Sequence, residues 1–178
     1  MSVKRLFVEK KKGFDIEAQG LMKDIKESLN IHDLENIRVV NRYDIENIDD
    51  SEYERSKYII FSEKTVDEIY EEELQAETNA KIFAVEYLPG QYDQRADSAS
   101  QCIQILTQSE KTQVKSSKVY LLYGNISKEQ FMKIKNYCIN PVDSREASLE
   151  KIDHLSEKLD APSSVKVLEG FTEKSDDD

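Results

Sequence analysis

The sequence predicts an α+β fold in which helices cover a mainly antiparallel sheet, as a two-layer sandwich. Segments with the composition of strands alternate with segments whose apolar residues recur at helical spacing. The same order of segments also occurs twice along the chain. Strands followed by helices that must cover one face of a sheet are typical of this class, although the pattern alone also permits a parallel sheet.

The first half of the chain contains segments with β-branched and aromatic residues, which favour strands, and segments with an apolar stripe at helical spacing. Ala18, Leu21 and Ile25 belong to one such stripe. The predicted elements of this half are a strand at 3–9, a helix at 15–29, a strand at 37–46, a short helix at 50–58, a buried continuation at 59–61, and an acidic bridge between the halves at 67–73.

The second half repeats this order, with a strand at 82–88, a helix at 93–106 and a strand at 119–123. Ser127 opens a last helix, because Gln130 three residues later completes a capping box. The apolar faces of the two helices are Ala96, Ala99, Ile103 and Leu106 in the first, and Phe131, Ile134, Tyr137 and Cys138 in the second. Residues 146–178 are interpreted as a linker and tail, with a linker at 162–164, a short strand at 165–168 and an acidic end at 175–178.

The two halves align with nearly constant offsets. Val8 corresponds to Val85, an offset of 85 − 8 = 77, and Asp15 corresponds to Asp93, an offset of 78. The strand at 39–43 matches 119–123 with an offset of 80, and Val66 matches with an offset of 76. The sequence therefore predicts an internal duplication within residues 1–145, of about 4–67 and about 81–145, with pseudo-twofold symmetry. Such a unit can also be described as a fused homodimer.

Composition excludes some classes of partner. The chain of 178 residues has 25 basic and 36 acidic side chains, a net charge of −11. Nucleic acids and anionic membranes attract basic surfaces, so neither is expected as a partner. No apolar run approaches the length of about 18 residues that a membrane span needs. Cys102 and Cys138 lie within predicted helices without a disulfide-rich pattern, which indicates reduced thiols in a cytoplasm.

Polar side chains are concentrated where the strand at 82–88 meets the following helix. Pro and Gly end the strand, and Asp93 is a preferred residue for capping a helix. One interpretation is only a helix start, in which Arg95 pairs with Asp97 or Glu86. The other is a surface that faces another domain or a ligand, since a guanidinium suits carboxylate or phosphate groups. The candidate residues are Pro89, Gly90, Gln91, Asp93, Gln94, Arg95, Asp97 and Ser98.

A second candidate contact follows the last helix. A proline soon after a helix end is an ordinary stop, and an interdomain contact through charged residues is the competing interpretation. Its residues are Asn140, Asp143, Ser144 and Arg145. No catalytic residue is predicted, because both cysteines are expected to pack in the core and no phosphate-binding glycine loop is present. His32 and His154 lack the spacing of metal ligands, so no metal site is expected.

Three segments together resemble the N-terminal domain of long-chain phosphoribosylformylglycinamidine synthase. They are Phe-Val-Glu-Lys-Lys at 7–11, Leu-Pro-Gly-Gln-Tyr-Asp-Gln-Arg-Ala at 88–96 and Asn-Pro-Val-Asp-Ser-Arg at 140–145, with weaker similarity at 165–171. In that family the domain is similar to a dimer of a small separate subunit. The resemblance implies a non-catalytic domain excised from a longer glutamine amidotransferase of purine biosynthesis.

The resemblance also implies partners and cofactors. The parent enzyme uses ATP and Mg²⁺ in its synthetase domains, and none of these cofactors is expected in this fragment. The accessory domain packs on the synthetase domains and supports their coupling to the glutaminase domain. The alternative is a free-standing protein-interaction or small-molecule sensor module made of two fused copies.

Overall fold

A computed structural model of the chain describes residues 2–108 and 111–155. Within these residues the chain forms an α+β fold with one six-stranded antiparallel sheet and four helices. The elements are β1 (Lys4–Lys10), α1 (Ile16–Ser28), β2 (Leu34–Glu46), α2 (Asp50–Ser56), a π-helical turn (Lys57–Phe61), β3 (Asp67–Glu71), β4 (Lys81–Tyr87), α3 (Gln94–Thr107), β5 (Gln113–Gly124), α4 (Lys128–Cys138) and β6 (Ser144–Ala147).

The strands lie in the order β3-β1-β2-β5-β4-β6, and every neighbouring pair is antiparallel. The prediction of an antiparallel sheet is therefore confirmed. The two longest strands, β2 and β5, lie side by side at the centre of the sheet. Each half of the chain contributes three adjacent strands, and each half has the element order β-α-β-α-β.

The pairing register of the first three strands recurs in the last three. Val8 of β1 lies opposite Asn41 of β2, and Val85 of β4 lies opposite Lys118 of β5. Both members of the second pair lie 77 positions after those of the first (85 − 8 = 77, 118 − 41 = 77). The β1–β3 and β4–β6 pairs are related by the same offset. The offset of 80 that the sequence comparison gives for β2 and β5 is three residues too large for this register.

Two clusters of buried side chains join the helices to the sheet. In the first cluster Ile25 of α1 packs with Phe83 and Leu122, which belong to strands of the second half. In the second cluster Ile103 of α3 packs with Leu6 of the first half. Each of these side chains is at least 98% buried, and burying one contributes about 1.5–3 kcal/mol. Helix α1 packs mainly on β2 and α3 mainly on β5, the long strand of its own half, while each cluster also contains side chains of the other half.

The structure differs from the sequence prediction in three strands. The segment interpreted as an acidic bridge forms the edge strand β3, where Asp67 is paired with Lys10 at 2.7 Å. Strand β5 begins at Gln113, six residues before the predicted start, and the segment after Asp143 forms β6. These strands carry many polar residues, so their composition did not favour strands.

Three side chains predicted to be buried are exposed. They are Cys102 on α3, Ile59 on the π-helical turn and Tyr137 on α4. The prediction of Ala96, Ala99 and Ile103 as a buried face is confirmed, as is the capping box of α4.

Residues 148–155, predicted as linker, lie against the sheet. Arg5 and Asp44 form a buried bidentate pair with distances of 2.6 and 3.0 Å. The same guanidinium donates to the backbone oxygen of Leu149 at 2.9 Å, and Arg42 donates to that of Ser148 at 2.7 Å. Backbone carbonyls of this segment thus satisfy donors that burial would otherwise leave unpaired. The linker predicted at 162–164 and the strand predicted at 165–168 lie outside the described residues.

Candidate functional site

The polar junction between β4 and α3 has the geometry of a turn followed by a capped helix. Strand β4 ends at Tyr87, and Gly90 has a φ of +87°, a conformation that favours glycine. The side chain of Asp93 accepts a hydrogen bond at 2.9 Å from the backbone N–H of Ala96 in the first turn of α3. The prediction that Asp93 caps this helix is confirmed.

Asp93 also connects α3 to the central strand β5. One carboxylate oxygen accepts from the Ser116 hydroxyl at 2.9 Å, and the other accepts from the Ser116 backbone N–H at 3.0 Å. The pairing of β4 with β5 ends at Val85 opposite Lys118, so Ser116 lies beyond the last residue of β5 that pairs with β4. The carboxylate therefore supplies the acceptor that a neighbouring strand would otherwise supply.

Arg95 does not pair with Asp97 or Glu86, so that part of the helix-start interpretation is wrong. Its guanidinium donates to the Tyr43 hydroxyl at 3.0 Å, and among the described residues it has no carboxylate within 4.0 Å. Asp97 instead accepts from the hydroxyl of Tyr92 at 2.8 Å. Burial lowers the pKa of Arg95, but interactions with Tyr43 and nearby carboxylates outweigh it and raise this pKa overall. Arg95 therefore keeps its charge.

A groove of about 690 Å³ lies between α3, the end of α4 and the central strands. It brings residues of the two predicted clusters together: Gln94, Arg95 and Ser98 from the first, and Asn140, Asp143 and Ser144 from the second. Four other predicted residues, Pro89, Gly90, Gln91 and Arg145, line a separate cavity of about 290 Å³, and Asp93 lines that cavity as well. The structure thus divides the predicted residues between two neighbouring concave surfaces.

The segment after α4 is mainly a structural turn. Ser144 donates to the backbone oxygen of Asn140 at 2.9 Å through its hydroxyl and at 2.8 Å through its N–H. Arg145 pairs with Glu86 at 2.7 Å, and Lys115 approaches the same carboxylate at 3.1 Å. Arg145 is therefore held by a buried partner in its own fold. Of this second candidate contact, Asp143 contributes the carboxyl group that lines the groove.

The floor of the groove consists of residues that the sequence analysis did not select. Asn41 and Tyr43 belong to β2, and Ser116, Lys118 and Tyr120 belong to β5. Polar residues at alternate positions of these strands, among apolar residues that face the helices, were the pattern that could have identified them. Lys118 forms an ion pair with Glu17 of α1.

The two cysteines lie in different environments. Burial raises the pKa of Cys138 to about 12, so its sulfur is a neutral thiol near pH 7. Cys102 is exposed on the surface of α3. In the described ranges no group of three His, Cys, Asp or Glu side chains could hold a metal ion.

No family model matches the sequence, and no curated protein matches it. Across residues 2–108 and 111–155 no helix has both the length and the apolar composition that a membrane span requires. The interpretation of function therefore depends on the motif segments and on the geometry described above.

Proposed function

We propose that this chain is the non-catalytic N-terminal accessory domain of a phosphoribosylformylglycinamidine synthase in the cytoplasm. In this proposal it packs on the synthetase domains of the parent chain and supports their coupling to the glutaminase domain. ATP and Mg²⁺ are bound by the synthetase domains, and glutamine is consumed by the glutaminase. This chain contributes a surface rather than a chemical step.

The recurrence of the pairing register at an offset of 77 is the observation that carries this proposal. An internal duplication with pseudo-twofold symmetry accounts for it, and the resemblance implies the same arrangement as a fused dimer of a small subunit. Loops support the duplication as well. The backbone N–H of Lys11 donates to the Val66 oxygen at 2.8 Å, and that of Leu88 donates to the Asp143 oxygen at 2.9 Å, again 77 positions later.

The packing of helices fits the same proposal. Core clusters that contain side chains of both halves are what the two subunits of a dimer would retain after fusion. We place the helices in one layer on the sheet, which makes the duplicated unit a two-layer sandwich. A unit with one shared core suits a rigid support for neighbouring domains.

The junction at 89–98 is the surface that we assign to the partner domains. Arg95 is charged and lies at a groove, while its hydrogen bond goes to a neutral hydroxyl. A guanidinium without an ion-pair partner can bind a carboxylate of another domain or an anionic substrate at the rim of the synthetase site. Asp93, by contrast, is occupied by contacts within the fold.

The experiment that tests this proposal examines the native gene product. An antibody raised against this chain should detect a polypeptide several times larger than 20.6 kDa. Deletion of the coding segment for residues 2–155 should create a purine requirement that added purine base relieves. A native product of about 20.6 kDa together with growth on medium without purines would contradict the proposal. That outcome would favour the free-standing interaction or sensor module.

A further inference from the structure

The large groove lies at the centre of the sheet, where the two halves meet. Asn41 lies opposite Lys118, and these residues are themselves 77 positions apart. An axis relating the halves therefore passes beside this pair, on the floor of the groove. The walls are not equivalent, because α3 places Arg95 where the corresponding position of α1, at an offset of 78, carries Glu17.

Among the described residues the Arg95 guanidinium has no carboxylate within ion-pairing distance, although the charges of Glu17 and Asp93 act on it from further away. The other cation of the groove, Lys118, is neutralised by Glu17. Arg95 instead makes a hydrogen bond to the Tyr43 hydroxyl from one of its nitrogens, Nη1. A guanidinium has five N–H donors arranged as a fork, so the remaining donors match two oxygens of a carboxylate or phosphate.

Asn41 provides an independent indication of a ligand. Its side-chain oxygen is buried, and within the described part of the chain it has no hydrogen-bond partner. Leaving a buried acceptor unpaired costs about 1–3 kcal/mol. The residue lines the same groove as Arg95, so rotation of its side chain would present this oxygen to the hydrogen-bond donor of a ligand in the groove.

We infer that the groove is a binding site for a small molecule that carries a carboxylate or phosphate group and a hydrogen-bond donor. The anionic group binds Arg95, and the donor binds the side-chain oxygen of Asn41. A volume of about 690 Å³ lies within the range of roughly 300–1,000 Å³ that is usual for small-molecule sites. This inference goes beyond the proposed accessory function, because it concerns a ligand of the isolated 178-residue chain.

The test is a titration of the 178-residue chain followed by amide chemical shifts in NMR, at constant ionic strength. Inorganic phosphate and glycerol 3-phosphate form one pair of probes, and acetate and lactate form the other. In each pair the second probe adds a hydroxyl donor. Shifts should concentrate at Arg95, Ser98 and Asn41, and the pair with the tighter binding identifies the anionic group.

Two variants test the assigned roles. Arg95→Gln should weaken binding of the preferred anion at least tenfold. Arg55→Gln, which removes an exposed arginine of α2 outside the groove, should change it less than twofold. In Asn41→Ala, the hydroxyl-bearing probe of the preferred pair (glycerol 3-phosphate or lactate) should no longer bind more tightly than the simple anion (phosphate or acetate). The affinity for the simple anion should stay nearly unchanged.

Ser98→Asp keeps the test decisive if Arg95→Gln fails to fold. It adds a negative charge at an exposed position of the groove and should also weaken anion binding at least tenfold. Absence of shifts at the groove with all four probes would overturn the inference, and so would equal losses in Arg95→Gln and Arg55→Gln. Neither result would alter the size of the native polypeptide, so failure here is distinguishable from failure of the proposed function.

Discussion

The two strand-to-helix junctions of this chain share a glycine turn but differ by one residue between this turn and the helix, and they differ in their side-chain contacts. In the first, residues 10–18, the turn has Gly13 with a φ of +94° before Asp15. In the second, residues 87–96, it has Gly90 with a φ of +87° before Asp93. A backbone hydrogen bond of 2.9 Å from the N–H of Phe14 to the oxygen of Lys11 closes the first turn. The second turn is closed by a bond of 3.0 Å from the N–H of Gln91 to the oxygen of Leu88.

The aspartates of the two junctions differ in the residues to which they form hydrogen bonds. Asp15 accepts from the backbone N–H of Gly13 at 2.9 Å and from the side chain of Gln19 at 2.8 Å, so both contacts lie within four residues. Asp93 bonds to the first turn of α3 and to Ser116, 23 residues away. The strand position that corresponds to Ser116, at an offset of 77, is Val39, which has no hydroxyl group.

Two similar glycine turns therefore precede aspartates with different roles. A hydroxyl at one strand position turns a local cap into a link between a helix and the central sheet. The same second junction also borders the large groove, whereas the first has Glu17 neutralising Lys118. Stability and binding therefore should respond very differently to equivalent substitutions in the two junctions.

The largest expected effect is that of Asp93→Ala compared with Asp15→Ala. Asp93→Ala removes the cap of α3 and leaves the Ser116 N–H without its acceptor, which should lower the free energy of unfolding by about 2–3 kcal/mol. Asp15→Ala removes only local contacts and should lower it by less than about 1 kcal/mol. Urea denaturation of the two variants measures the difference.

Ser116→Ala serves as the control for this comparison. It deletes the hydroxyl contact but keeps the backbone N–H bond to Asp93, so its cost should be about 0.5–1.5 kcal/mol. Equal losses in the two aspartate variants would show that the link between α3 and β5 contributes little. The assigned difference between the junctions would then be wrong.

Arg95→Ala should separate stability from activity. The isolated chain loses one hydrogen bond to Tyr43, so its unfolding free energy should fall by no more than about 1.5 kcal/mol. In the full synthetase, loss of a charge-assisted contact of about 1.5–3 kcal/mol should reduce the rate or affinity roughly tenfold to hundredfold. Steady-state kinetics of the full enzyme and denaturation of the isolated chain provide the two measurements.

Arg55→Ala is the matched control for charge, because this exposed arginine lies outside both cavities that the junction borders. It should leave the kinetics of the full enzyme unchanged within about twofold. If the full enzyme with Arg95→Ala had wild-type kinetics, the junction would have only a structural role.

Much of the fold was predictable because local physical chemistry determines it. The stripe of α1, the capping box of α4 and the cap of α3 depend on residues within a few positions of one another. Strand β3 was not predictable in this way, because its carboxylates are paired with Lys10 and with Lys57. Those partners lie 57 and 14 positions away, respectively, and the composition of the segment gives no indication of them.

In the candidate site, too, contacts between residues close in sequence were predictable and contacts between distant residues were not. Asp93 was identified correctly as a cap, since capping is local, but Arg95 was assigned two partners near it in sequence or on β4. Its observed partner Tyr43 lies 52 positions away on a central strand. Asn41 was missed for a similar reason, because its relation to the groove depends on the alignment of β2 with β5.

Gly90→Ala and Gly13→Ala should have nearly equal effects, since the two turns share their backbone. A Cβ atom at either position would meet no heavy atom within 4 Å, so the cost comes from the positive φ alone. That cost is roughly 1–2 kcal/mol for an L-residue. Thermal denaturation of the two variants checks the equality, and a difference above about 1 kcal/mol would contradict the shared geometry.

The smallest expected effect is a pH dependence confined to the first junction. Burial raises the pKa of Asp15, but hydrogen bonds from backbone N–H groups and Gln19, together with the charge of Lys12, outweigh it and lower the pKa below 3.8. Because the folded-state pKa is lowered, the carboxylate stabilises the turn fully above the unfolded value near 3.8 and loses this effect as the pH falls through the folded pKa.

The measurement is an NMR titration of the Asp15 carboxyl group together with amide exchange of Gly13. Titration should fall below pH 3.8, and Lys12→Gln should raise the pKa because it removes a nearby positive charge. Exchange of the Gly13 amide should increase in acid, relative to its intrinsic rate, while that of the core residue Ile25 stays protected. Since the hydrogen bonds of the Asp15 side chain go to Gly13 and Gln19, both within four positions, acid should loosen this junction without opening the sheet. Simultaneous loss of protection at Ile25 would show that Asp15, like Asp93, supports the core.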